Sequence, residues 1–283
     1  MTGRLSEVSG RLDGIRQLGV VVNAMRGIAA ARAQQARGQL VAVDRYSHSI
    51  AAALGRALAF LPPAQAGGSP VPKRPALILF CAEQGFAGPY SEHVLDTVAG
   101  DLGRSELFLV GTRGLSVARE RGVQPGWWIA LPSHSPAIPR LADRIVEALY
   151  RRIDAGKLDR LDAVFCRRDP GEPLRVLRRS LFPLDVDSLD IARNENPPLL
   201  TLSPPRLVEA LTADNIHAQL CACALHAFAA ENEARMEAMA SARNQIKRQL
   251  DTLQATERQV RQEEITAEII ELAAGETASR ERT

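Results

Sequence analysis

Leu5, Val8, Leu12, Ile15, Val22, Met25 and Ala29 recur at spacings of three and four residues, with Gly19 at the missing position, and Leu40, Val43, Ile50 and Leu54 continue the stripe. This spacing predicts one long amphipathic helix in the first segment. Gly3, Gly10, Gly14, Gly19, Gly27, Gly38 and Gly55 interrupt it, each at a cost of about 1 kcal/mol relative to alanine, so partners in the fold must hold the helix straight. A second three-four seam runs through Met239, Ala242, Ile246, Leu250, Leu253 and Val260. It lies in a stretch from Arg206 to Ala274 with neither Gly nor Pro, which would span about 100 Å as a single helix, and Gly275 stands where a C-cap is expected. The polar tail from Glu276 to Thr283 reads as frayed.

All seventeen prolines fall between Pro62 and Pro205, so neither end contains the residue that breaks helices. Between the ends the pattern changes. Continuous apolar runs of strand length, Ala76–Cys81, Leu107–Val110, Trp127–Ala130 and Leu161–Cys166, alternate with helical patterns from about Ser91, from Leu115 to Arg121 and from about Ile138 to Ala155. Runs of this kind are buried on both faces of a mainly parallel sheet. The fold class is therefore α/β: a Rossmann-like central domain over residues 62–205, with helices 1–61 and 206–283 pairing as an antiparallel coiled coil. Pro62-Pro63 and Gly67–Pro70 read as a linker, and the stretch from Pro170 to Pro205 as edge strands and loops.

Charge sharpens the pairing. The chain carries only +2 overall, too little to imply nucleic acid, but residues 1–61 hold eight Arg against three acids, while residues 206–283 hold nine Lys/Arg against thirteen acids. Opposed flanks help choose partner and orientation in a coiled coil. Only 4% of residues are aromatic, so burial at the Ala-rich ends must come from close helix approach. Cys81, Cys166, Cys221 and Cys223 show no C-x-x-C spacing and read as buried thiols of a reducing compartment. No apolar run approaches the ~18 residues of a membrane span.

Candidate chemistry is sparse. Gly85-Phe86-Ala87-Gly88 follows a strand but is neither G-x-G-x-x-G nor a P-loop, and Gly111-Thr112-Arg113-Gly114 has the G-x-x-G form of a nucleic-acid clamp without its helical context; both read as tight turns. The five histidines have no metal-ligand spacing. Glu263-Glu264 and Glu268 read as a solvated helix face. No residue is nominated as catalytic, cofactor-binding or metal-binding.

The two ends carry a resemblance. Arg11–Ile15 through Val22-Asn23-Ala24-Met25-Arg26-Gly27-Ile28-Ala29-Ala30-Ala31 follows a first-helix pattern of the type I-T-K-A-M-x-M-V-A-A. Glu231-Asn232-Glu233-Ala234-Arg235-Met236-Glu237-Ala238-Met239 is similar to S-E-x-x-A-R-M-x-A-M, and Arg261-Gln262-Glu263-Glu264-Ile265-Thr266-Ala267-Glu268-Ile269 to R-Q-A-x-I-T-x-E-I/L. These patterns belong to the γ subunit, the central rotor stalk, of F-type ATP synthases, which the chain resembles along nearly its whole length. Ala82–Gly88 stands where that family has a D-R-G-L-C-G turn, and Leu181–Leu184 resembles a further landmark. Glu83-Gln84 for Asp-Arg, Asn23 for Lys, Glu263 for Ala, Pro89 and the extra glycines of the first helix mark a divergent member. A second, paralogous ATPase of the sodium-coupled type stands beside the housekeeping enzyme as a reading of the same residues.

The resemblance implies a shaft whose tip enters the ring of α and β subunits and a base against the ε subunit and the c-ring. It implies a peripheral protein on the cytoplasmic face of the bacterial inner membrane, associated with the membrane only through the complex, without cofactor or nucleic acid. An asymmetric shaft meets each β subunit with a different face and so biases each toward a different nucleotide affinity. By the same resemblance Met25, Arg235, Arg261, Gln262, Thr266 and Glu268 form the rotor–stator interface. Two rivals share parts of the pattern: a coiled-coil scaffold with an α/β head, and a Rossmann-type nucleotide-binding protein using the Gly85 turn.

Overall fold

A computed structural model describes residues 2–61, 75–156, 158–169, 171–184 and 199–280. The linker expected at Pro62–Pro70, much of the segment before Pro204 and the last three residues lie outside the described residues. In chain order the elements are helix α1 (Thr2–Leu58), strand β1 (Pro75–Phe80), α2 (Tyr90–Thr97), β2 (Glu106–Val110), α3 (Thr112–Glu120), β3 (Trp127–Ile129), α4 (Ile138–Asp154), β4 (Arg160–Arg167), β5 (Arg175–Phe182) and α5 (Pro204–Arg280). Helix α5 begins on Pro204-Pro205, because a first helical turn needs no backbone N–H. It continues through Gly275 to Arg280, so that glycine does not cap it and the tail from Glu276 is helical as far as Arg280.

The chain divides into two compact units, residues 1–28 with 236–283, and residues 29–235. Both division points fall inside the long helices, so each helix contributes to both units.

In the unit of residues 29–235 the five strands are ordered β3-β2-β1-β4-β5. β1, β2, β3 and β4 pair parallel, and β5 closes one edge antiparallel to β4. Side chains alternate between the faces as the two-residue strand period requires. Ala76, Ile78 and Phe80 of β1 join Ala163 and Phe165 of β4 in one core, under α4, α5 and the Ala36 to Val43 stretch of α1. Leu77, Leu79 and Cys81 join Val164 and Cys166 in the other, under α2 and α3. Covering both faces explains why the strands read as continuous apolar runs.

In the unit of residues 1–28 and 236–283, α1 and α5 pair antiparallel. Arg4 meets Glu263 at 3.3 Å, and a Cβ on Gly19 would stand 3.4 Å from Ile246. Val22, Met239 and Ile246 are buried, with Ile15, Met25, Ala242 and Leu250 packed around them. The expected seam is therefore the one the helices use, and Gly19 is the point of close approach.

Candidate functional site

Beyond the seam, α5 carries an exposed face. Val260 is buried, and Glu264 and Ala267 are half-buried on the same side. On the other side Arg261, Gln262, Thr266 and Glu268 are all exposed, interleaved with Ile265, Ile269 and Ile270, which are 50–63% exposed. A helix that buries one stripe and leaves an apolar stripe outside is unlike an ordinary solvated surface. Arg261, itself exposed, meets the half-buried Glu257 one turn back on the same helix at 3.6 Å, and Thr266 donates to the Gln262 carbonyl at 2.8 Å. Their head groups are held loosely, which suits charge-assisted contacts that form and break. Leu18, Val20, Val21 and Ile28 form a comparable exposed apolar set on α1. Met25 is half-buried in the seam, between the two roles a residue at that position could have.

Arg235 sits elsewhere. Its guanidinium is buried in the unit of residues 29–235, where it donates to the Gly85 carbonyl at 3.1 Å, the Gln84 carbonyl at 3.2 Å, Asn232 Oδ1 at 3.2 Å and the Glu231 carboxylate. Glu231 accepts in turn from the Glu83 and Gln84 N–H groups at 3.1 and 3.2 Å. Burial pushes the Glu231 carboxyl up, while Arg235 and the two N–H groups pull it back. The Glu83 side chain accepts from Thr112 N at 2.9 Å, Thr112 Oγ1 at 2.8 Å and Leu131 N at 2.8 Å. Sequence reasoning assigned no role to Glu231 or Glu83. The available signal was the i, i+4 pairing of Glu231 with Arg235 inside an Ala-rich run, an unusual place for a charged pair.

This network engages N–H groups beside both glycine turns. A phosphate cradle needs free backbone N–H groups after a strand or at a helix N-terminus. Here the Glu83 and Gln84 N–H groups face Glu231, and the first N–H groups of α3 face Glu83 and the carbonyls of Ala82 and Glu83. Glu231 thus takes the two N–H groups just before the Gly85 turn, and Glu83 takes the first N–H of α3. Gly111 adopts φ +112°, and a Cβ there would stand 2.5 Å from the Cys81 carbonyl oxygen; one on Gly114 would stand 2.0 Å from Cys81 Cβ. The G-x-x-G spacing thus lets α3 close onto β1.

Four thiols, His226 and Tyr90 are shifted by burial in the core. Burial pushes the thiols of Cys166, Cys221 and Cys223 up to about 12, and that of Cys81 higher still. His226, stacked on Phe165, is lowered to about 4 by burial and by Arg167 and Arg179. Tyr90, pushed well above its usual value by burial, donates to the Ala227 carbonyl at 3.0 Å. Among the described residues no group of His, Cys, Asp or Glu has the arrangement of a metal site, and no helix is long and apolar enough to cross a membrane.

The sequence matches the ATP synthase family over residues 4–278. The chain belongs to this family. It is 27% identical over 296 residues to the ATP synthase gamma chain of Parafrankia sp., covering 98% of each chain, and 27% identical over 228 residues to that of Streptomyces griseus, covering 75% of this chain and 74% of its relative. Among solved structures it is similar to a chain of the Euglena gracilis mitochondrial ATP synthase rotor, with a TM-score of 0.67 at 14% identity, covering 94% of this chain and all of that one. Within the family the long terminal helices and mostly parallel five-stranded sheet are thus the shared fold. The family match over residues 4–278 includes the α5 motif from Arg261 to Ile269.

Proposed function

We propose that this chain is the central rotor stalk of an F-type ATP synthase, coupling ion flow through a membrane sector to ATP synthesis or hydrolysis in a catalytic α/β head. The observation that carries this reading is the match to gamma chains over nearly the full length of both partners. What a rotor contributes is differential contact: a shaft with unlike faces shifts each β subunit toward a different state, and a uniform shaft would shift none.

On this reading the ring of α and β subunits surrounds the paired terminal helices. The ε subunit and c-ring meet the α/β unit, and the chain reaches the bacterial membrane only through them. Arg261, Gln262, Thr266 and Glu268 are the contact residues on α5, and Met25 contributes from α1. Arg235, buried against the turn after β1, is a positioning residue of the unit of residues 29–235 and not one of these contacts. The exposed apolar stripes beside these residues are supporting features, since surfaces of that kind are ordinarily covered.

Arg261→Ala tests the assignment. In the complex reconstituted into vesicles, the variant lowers the ions pumped per ATP hydrolysed, while the isolated chain unfolds at the wild-type temperature because the side chain is exposed. Unchanged coupling removes Arg261 from the interface.

A further inference from the structure

The Glu231–Arg235 pair lies at a level of α5 where a third buried charge faces the other way. Glu233 is two residues on, about 200° around the helix. Its carboxylate meets Arg37 of α1 at 2.6 Å, with Arg168, just beyond β4, at 4.0 Å. Glu231, Glu233 and Arg235 are each at most 5% exposed. One level of α5 is therefore gripped from opposite sides: by the turn after β1 through Glu231 and Arg235, and by α1 and the end of β4 through Glu233.

The preceding stretch of helix explains why such a grip is needed. Between Ala218 and Ala230, six alanines and two cysteines are buried, against only three bulky side chains, Leu220, Leu225 and Phe228. Small side chains raise low ridges, and low ridges interlock weakly with a neighbouring surface. Such a helix packs closely but resists rotation about its own axis poorly. Buried ion pairs add little net stability over apolar residues of similar size, because desolvation offsets their attraction; what directional hydrogen bonds to fixed carbonyls and N–H groups do supply is a defined angle.

We propose that Glu231, Arg235 and Glu233 form a torsional latch that fixes the azimuth of α5 in the unit of residues 29–235, so that twist on the helix is carried into the sheet rather than lost as slip. The latch rests on the rotor reading and adds to it the place where torque passes from helix to sheet. Arg235 is accordingly a positioning residue.

The test uses the complex purified through the full chain, with a bead on an introduced Arg119→Cys. The four native cysteines of this chain are buried and their thiols raised, so within the chain the new thiol is the reactive one, and the other subunits are used in cysteine-free form. Turns of the bead per ATP hydrolysed are recorded as viscous load increases, for wild type and for Glu231→Leu with Arg235→Met, which replaces the pair by apolar side chains. The latch predicts turns per ATP that match wild type at low load and fall away progressively as load rises. A ratio equal to wild type at every load overturns it, as does a ratio lowered by one factor at all loads, the signature of a general structural defect. Arg235→Lys keeps the charge but cannot span two carbonyls and Glu231; it gives an intermediate slope and carries the test if the double variant does not assemble, a wild-type slope in it counting against the latch. A wild-type bead that does not turn at all overturns the rotor reading, and the latch with it.

Discussion

Gly114 shows how much one absent methyl group can decide. A Cβ at this position would overlap Cys81 Cβ at 2.0 Å, in a place where both partners are held by backbone hydrogen bonds, Gly114 N to the Ala82 carbonyl at 3.0 Å and Cys81 N to the Val110 carbonyl at 2.9 Å. Gly114→Ala is therefore expected to destabilise the full chain by about 1–3 kcal/mol, the range for overpacking a filled core. Urea unfolding checks this, and a midpoint equal to that of wild type contradicts it. The glycine spacing was legible as a turn, but its reason was not, because the atom that forbids a side chain is 33 positions away in sequence, at Cys81. Arg235 is the same lesson at a charged residue. Its motif was legible, whereas its partners, the carbonyls of Gln84 and Gly85, come from the far side of the sheet domain's sequence. Periodicity along one helix cannot show which way a side chain on that helix is taken by another element.

At the scale of elements the reading from pattern goes furthest where the period is long and uninterrupted. The seam from Met239 to Val260 corresponds to α5, and the alternation of apolar runs with helical patterns corresponds to strands β1–β4 and helices α2–α4 in chain order. The end of α5 differs from expectation because a glycine ends a helix only when the backbone after it turns, and here the following residues stay helical to Arg280. Helix α1 holds its glycines at unequal advantage. Gly19 makes room for Ile246, whereas Gly27 and Gly38 have nothing within 4 Å of where a Cβ would stand. Replacing both with alanine should raise the stability of the isolated chain by about 1 kcal/mol per site, through helix propensity alone. Calorimetry of the double variant shows a higher melting temperature if α1 is limited by its glycines; an unchanged or lower one means that flexibility is not what these positions contribute.

For the whole molecule, charge and exposure divide the work between its parts. The opposed charges of the two terminal segments appear as Arg4 with Glu263, both more than half exposed, and as Arg37 with Glu233, where the carboxylate is buried. The first contributes little to stability. The second belongs to the latch. In the unit of residues 29–235 Glu231 and Glu83 take N–H groups beside the two glycine turns, while α5 exposes polar and apolar groups together around Arg261 and Ile265. A coiled-coil scaffold would need the seam but not the R-Q-x-x-I-T-x-E pattern outside it. The central claim is that this chain turns inside a ring of other subunits, and imaging the complex purified through a tag on the chain tests it most directly. The account predicts a ring of alternating α and β subunits with the terminal helices of this chain on its axis, and particle classes that differ by rotation of the chain within the ring. Recovery of the chain alone, or only as a dimer with itself, would contradict it.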